Sequence, residues 1–156
     1  MKIETSRFGT VEISDELVIN FPEGLPGFDG NLYALIHSEE NPNINWLQST
    51  NDPDVALIIM DPMLLKSDYE IKPRPEELGV VNAAENHEEK VVYRVIVRAG
   101  ETPGELYLNL FAPLIFNVKE RLGMQLALVG SNYTIREVIQ VGGSEEDASV
   151  EGQTGS

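Results

Sequence analysis

Val91-Val92-Tyr93-Arg94-Val95-Ile96-Val97-Arg98 reads as a β-strand on local grounds alone. β-Branched and aromatic residues dominate it, the types that fit a pleated surface. Arg94 and Arg98 fall in phase on one face, as a side-chain period of two requires. Working outward, eight further runs share this character: Val11 to Ile13, Leu17 to Phe21, Leu32 to Ile36, Ile44 to Gln48, Val55 to Met60, Leu106 to Phe111, Leu114 to Val118 and Gln125 to Val129. Each is short and bounded by Gly, Pro, Asn or Asp.

The connections have their own chemistry. Asn51-Asp52-Pro53-Asp54 predicts a tight turn, with Asn and Asp capping it and Pro fixing φ. Arg121-Leu122-Gly123-Met124 predicts a hairpin connection with Gly123 at the positive-φ position. Ala112-Pro113 interrupts an otherwise continuous apolar strand, as at a bulge or an edge. Helical signal is thin. Pro75-Glu76-Glu77-Leu78-Gly79 suits one or two turns stopping at Gly79, and Asn82-Ala83-Ala84-Glu85 has a capping-box pattern before the polar stretch Asn86 to Lys90, read as a loop. The fold class is therefore mainly β, an antiparallel barrel-like or sandwich domain with one or two short helices. Strand order does not follow from this pattern.

Length predicts one domain, residues 1–141, followed by residues 142–156, whose Gly, Ser, Thr and acids offer little to bury and predict disorder. There is no Cys, so disulfides and thiolate chemistry are excluded. Met1-Lys2-Ile3-Glu4-Thr5 alternates polar and apolar residues, unlike a signal peptide, and no apolar run approaches the ~20 residues of a membrane span. The expected location is the cytoplasm.

Charge is the strongest compositional signal. From Phe8 to Leu65 there is no Lys or Arg, yet there are ten acids: Glu12, Asp15, Glu16, Glu23, Asp29, Glu39, Glu40, Asp52, Asp54 and Asp61. This stretch supplies two thirds of the net charge of −15. If those residues share a face, they repel nucleic acid and anionic membrane and favour a basic protein partner.

Three segments stand out as motifs. Phe21-Pro22-Glu23-Gly24-Leu25-Pro26-Gly27-Phe28 packs two prolines and two glycines into a loop of fixed shape, with Leu25 to Phe28 suited to a type II turn and Phe21 and Phe28 as its pins. Asn45 through Pro62 gives strand, turn and strand, followed by Asp68-Tyr69-Glu70-Ile71. Leu108-Asn109-Leu110-Phe111-Ala112-Pro113-Leu114-Ile115-Phe116-Asn117 runs on to Ser131-Asn132-Tyr133-Thr134-Ile135-Arg136. Together, in this order and spacing, they resemble the flagellar assembly factor FliW family over roughly residues 1 to 139. Met1 to Thr5 and Gly9 to Ile13 also look like that family's first hairpin. The segment after Pro73 and that after Gln140 depart from the pattern.

The resemblance implies a non-enzymatic, β-barrel-like protein with two protein partners. One is flagellin before export. The other is the carbon storage regulator CsrA, a basic dimer that represses translation of flagellin messenger RNA. Flagellin and CsrA then exchange on the factor, relieving repression when flagellin is depleted. A chaperone for flagellin alone is one alternative; a small carbohydrate-binding or carboxylate-based enzyme domain is another. The protein is expected to be monomeric alone, with no cofactor and no direct nucleic-acid binding.

Expected partner-binding residues are Glu23 and Phe28 on the rigid loop, Trp46, and Asp68, Tyr69 and Glu70 at an exposed strand exit. Phe111, Leu114 and Phe116 are candidates for an apolar groove receiving a helix, although a strand position of this kind is more commonly core. Trp46 is weighed as core edge ahead of anchor, and Asn109 and Asn117 as amides that pin backbone. No catalytic or metal residue is assigned: His37 and His87 lack a nucleophile nearby and have no ligand spacing, and Asp52 and Asp54 flank Pro53 as turn residues.

Overall fold

The computed structural model describes residues 1–85 and 87–141; the expectation for residues 142–156 lies outside the described residues. Among the described residues there are eleven strands: β1 (Lys2–Thr5), β2 (Gly9–Glu12), β3 (Val18–Asn20), β4 (Leu32–His37), β5 (Asn45–Ser49), β6 (Ala56–Met60), β7 (Val92–Ala99), β8 (Glu105–Leu108), β9 (Leu114–Asn117), β10 (Leu122–Gln125) and β11 (Glu137–Gln140). The fold is mainly β, with one helical turn, α1 (His87–Lys90), and short 3₁₀ segments.

Strands β7, β6, β5, β4, β3, β10 and β9 follow one another, and β9 returns to β7, closing a seven-stranded barrel. All pairings are antiparallel except β3 with β10, which meet in parallel at the single pair Asn20 and Leu122. Closure depends on β7, the longest strand at eight residues. One edge of β7 serves two partners: Val97 to Ala99 pair with β8, and Val92 to Arg94 pair with β9. Between them the partner chain carries Asn109 to Pro113, while β7 spends only Val95 and Ile96. Ala112-Pro113 therefore does sit in a large bulge. Asn109 donates its backbone N–H to Ile96 O and accepts one from Ala112 at Oδ1, which holds the bulge shut. Beyond it, β8 leaves the barrel and pairs with β11 as an edge extension.

The barrel interior follows the period of two. Ile19, Phe21, Leu25, Tyr33, Leu47, Ile59, Leu114 and Phe116 form one buried cluster. Phe21 stands edge-on to both Tyr33 and Phe116, with centroids 5.4 and 5.8 Å apart, a favoured aromatic geometry. The outer faces are covered as well, which is why several strands lack polar alternation. The hairpin β1–β2 lays Ile3 and Ile13 on Ala34. Tyr69 packs with Val95, Val97, Leu108 and Leu110. The 3₁₀ segment Pro75–Val81 lays Leu78 and Val81 against Ile115 and Met124.

Several expectations are corrected. Strands β1 and β2 form the first hairpin that the resemblance implied, β11 is additional to the strands anticipated, and the last anticipated strand lies earlier, at Leu122–Gln125. Past Gln125 the chain still bonds the bulge, from Leu126 N to Pro113 O and Leu128 N to Phe111 O, but without a regular ladder. Gly123 does not make the turn. Arg121 takes the left-handed position, φ 58°, closing a turn onto Val118 O, while Gly123 is inside β10 because the Phe21 ring leaves no room for a Cβ. Asn82 does not start a helix: at φ 58°, ψ 41° it ends the 3₁₀ segment, which continues past Gly79 to Val81. An amide side chain tolerates this conformation better than most residues. The polar stretch before β7 holds the helical turn α1 where a loop was expected.

Candidate partner-binding surfaces

The barrel has two ends, and the strand directions sort the acidic residues between them. His37 pairs with Asn45, whereas Tyr33 pairs with Ser49. The β4–β5 connection with Glu39 and Glu40 therefore lies at one end, and Asp61, following Met60, lies near it. The β3–β4 loop with Glu23 and Asp29, and the β5–β6 turn with Asp52 and Asp54, lie at the other. Glu12 and Asp15 sit beside the Met1 amine, at 3.0 and 3.6 Å. The ten acids thus do not converge on one face. Topology divides them, and this overturns a single continuous anionic surface. Glu12 and Asp15 have the Met1 ammonium, but among the described residues none of the ten carboxylates pairs with a Lys or Arg side chain.

The β3–β4 end is the better-built surface. Phe21 N donates to Asn31 O at 2.8 Å and Gly24 N to Phe21 O at 2.8 Å. Phe28 N donates to Leu25 O at 3.0 Å, with Gly27 at φ 90°, which is the type II turn anticipated. The loop's pins are Phe21 and Leu25, both in the barrel core. Phe28 is a correction here: it is 38% exposed and belongs to none of the buried clusters. Leu32, at 41%, is exposed at the same end. Gly30 backs onto Asn51, so the loop rests on the β5–β6 turn. That turn is held from within by Gln48, whose Nε2 donates to the carbonyls of Ser49, Asp52 and Pro53 at 3.0, 3.5 and 3.3 Å. From outside, the Ser6 hydroxyl bonds Asp54. An aromatic ring on a turn fixed by proline and glycine, at the same barrel end as exposed Glu23, Asp29, Asp52 and Asp54, is suited to anchoring a basic partner.

The other candidates fare differently. Trp46 is half-buried at the core edge, with the Arg7 guanidinium 4.4 Å above its ring and Phe8 edge-on at 5.6 Å. Arg7 and Phe8 come from the β1–β2 turn, a contact no local pattern announces. Asp68 and Glu70 are exposed, but each has a lysine beside it: Lys66 at 3.5 Å and Lys72 at 3.5 Å. Tyr69 between them is a correction. It is 4% exposed, and its hydroxyl donates to Leu110 O at 2.6 Å. Burial, with Tyr133 alongside, pushes its phenol pKa well above the ordinary range. The expected groove is also corrected. Leu114 and Phe116 lie in the barrel core and Phe111 is half-buried, because β9 is covered on both faces. Asn109 and Asn117 pin backbone as expected, Asn117 Nδ2 donating to Val81 O at 2.8 Å.

His37 Nδ1 lies 2.8 Å from Asn45 Nδ2. Among the described residues no three His, Asp or Glu side chains gather where they could hold a metal, and no helix is long and apolar enough to cross a membrane.

Comparison with known proteins agrees with the architecture. The sequence model of one family, FliW protein, matches residues 2–139. The flagellar assembly factor FliW of Moorella thermoacetica is 34% identical over 157 residues, covering 100% of this chain and 99% of that protein. The FliW of Caldanaerobacter subterraneus is 36% identical over 141 residues, covering 89% and 93%. A crystal structure of the flagellar assembly factor FliW superposes with a TM-score of 0.78 at 29% identity, covering 88% of this chain and 95% of that one. A closed barrel sealed by the pairing of β9 with β7, matched over nearly its whole length, makes this chain a member of the FliW family.

Proposed function

We propose that this chain serves flagellum assembly as a non-enzymatic, cytoplasmic binding protein that holds flagellin and antagonises CsrA, so that flagellin messenger RNA is translated. The observation that carries the reading is membership of the FliW family across residues 2–139. The surface is in keeping with it. Phe28 offers an aromatic anchor, and the exposed acids around it suit a basic regulator.

The division of the acids narrows the mechanism. Two unit charges ~4 Å apart in water interact by only about 1 kcal/mol, so a few carboxylates must act together near an interface of low dielectric. Their field reaches roughly a Debye length, ~8 Å at physiological salt. Docked by the Phe28 end, the protein places Glu23, Asp29, Asp52 and Asp54 close to the regulator without covering its RNA surface, and weakens RNA binding by repulsion.

Titration calorimetry against purified CsrA, repeated with flagellin present, tests the two partners. Heat with flagellin alone reduces the reading to a chaperone. CsrA–RNA affinity measured with and without this protein, at low and at high salt, tests the mechanism: inhibition is expected to fade as salt rises, and inhibition indifferent to salt replaces repulsion with steric blocking.

A further inference from the structure

On the edge extension two arginines meet one aromatic ring. Tyr107 on β8 lies directly opposite Arg98 on β7 and Val138 on β11. The Arg98 guanidinium carbon is 4.8 Å from the Tyr107 ring centroid, and that of Arg136 is 4.2 Å. The two guanidiniums are therefore no more than about 9 Å apart, those two distances laid end to end. Both arginines are exposed, while the ring between them is 5% exposed.

The two arginines differ in their acidic neighbours, and among the described residues only Arg136 has carboxylates near it. Among the described residues Arg98 makes no ion pair, and Arg136 has only Glu101, at 3.9 Å on an exposed side chain. Glu105, the other nearby acid, accepts the Glu101 backbone N–H at 2.7 Å. Arg136 Nη2 donates to the Tyr107 hydroxyl at 2.8 Å. That oxygen, being an acceptor there, keeps its own hydrogen free to donate. Two exposed planar cations thus flank a largely buried phenol on one small area of a protein whose net charge is −15. A cation over a ring contributes only about 0.5–1 kcal/mol at an exposed site, whereas guanidinium forks match carboxylate and phosphate oxygens bidentately.

We propose that Arg98, Tyr107 and Arg136 form an oxyanion-binding site on the exposed face of β7, β8 and β11, taking carboxylate or phosphate oxygens. Two sources supply that chemistry. One is the carboxylates of Glu145, Glu146 and Asp147, which follow β11 within a few residues in sequence. The other is a free anion, for which inorganic phosphate is the probe.

The test follows the arginine Nε–Hε resonances of the full ¹⁵N-labelled chain at low salt, assigned with Arg98→Lys and Arg136→Lys. If a free anion is the ligand, inorganic phosphate shifts both signals along one saturating curve, and Arg98→Gln weakens that curve about tenfold or more. If the chain supplies the carboxylates, Glu145→Gln with Glu146→Gln and Asp147→Asn moves both signals before any phosphate is added. The same spectra report whether each variant is folded. Signals that respond to neither change, or that move no more than those of Arg74 and Arg94, overturn the site and leave Arg98 and Arg136 as a cross-strand clamp on Tyr107.

Discussion

Gly123 and Phe21 share a space that admits only one of their side chains. A Cβ on Gly123 would stand 2.7 Å from Cζ of the Phe21 ring and 2.8 Å from Cε2. Phe21 is fully buried between Tyr33 and Phe116, so the ring has nowhere to retreat. This contact lies beside the parallel seam of β3 and β10, the narrowest pairing in the barrel.

Gly123→Ala is accordingly expected to destabilise the fold by about 1–3 kcal/mol, the usual cost of forcing atoms into a packed core. Urea denaturation followed by far-UV circular dichroism measures it. Combining it with Phe21→Leu should cost less than the two single changes together, since each relieves the other.

Gln48 is fully buried and turns its amide nitrogen to three carbonyls. Gln48→Glu would face those oxygens with a carboxylate at pH 7, at a cost of about 3 kcal/mol or more. Burial and repulsion raise that carboxyl's pKa, so the loss should shrink as pH falls toward ~4, where the group is protonated even in the unfolded chain. Denaturation midpoints at pH 7 and pH 4 give the comparison, and an equal loss at both would contradict it.

Tyr69 sets an alkaline limit. Its phenol is held protonated by burial beyond the ordinary value of 10.0, as is that of Tyr33. Above that pH the unfolded chain ionises first, so the stabilisation is complete below pH 10 and is lost as pH climbs from there. Tyr69→Phe should cost about 1–2 kcal/mol at neutral pH by leaving Leu110 O without its donor, and should flatten the alkaline decline. Thermal melts at pH 7 and at several values above 10 would show both effects.

Asn117 joins β9 to the 3₁₀ segment through Val81 O and accepts the Glu120 N–H at 3.2 Å. Asn117→Ala should cost about 2–3 kcal/mol, because buried groups lose their partners. Hydrogen exchange should place the loosened amides around residues 78–83 and 118–121, not in β4 to β6.

Phe28→Ala should leave stability within about 1 kcal/mol of the parent, since the side chain lies outside the buried core. If the loop anchors the basic partner, the same change should lower affinity for CsrA about tenfold in calorimetry. Undiminished binding would move the anchor elsewhere on the barrel.

The turn chemistry and the strands were readable because they are local. Leu25-Pro26-Gly27-Phe28 dictates its turn through the φ limits of proline and glycine, and the β-branched and aromatic residues of β4 to β7, bounded by turn formers, mark strands without reference to neighbours. Glu23 was legible as exposed for the same reason: it sits on a loop fixed by its own residues. Family membership was also legible, carried by the order of three motifs.

Tertiary structure decided what depends on residues far apart in the chain. Nothing local says that Tyr69 would bury its hydroxyl against Leu110, that Arg7 would roof Trp46, or that Gly123 would stay bare for Phe21. Nor does composition say which end of a barrel each acid occupies. Adjacency in sequence grouped ten carboxylates, but alternating strand directions carried them to opposite ends. Charge is a property of the chain; the field it makes is a property of the fold.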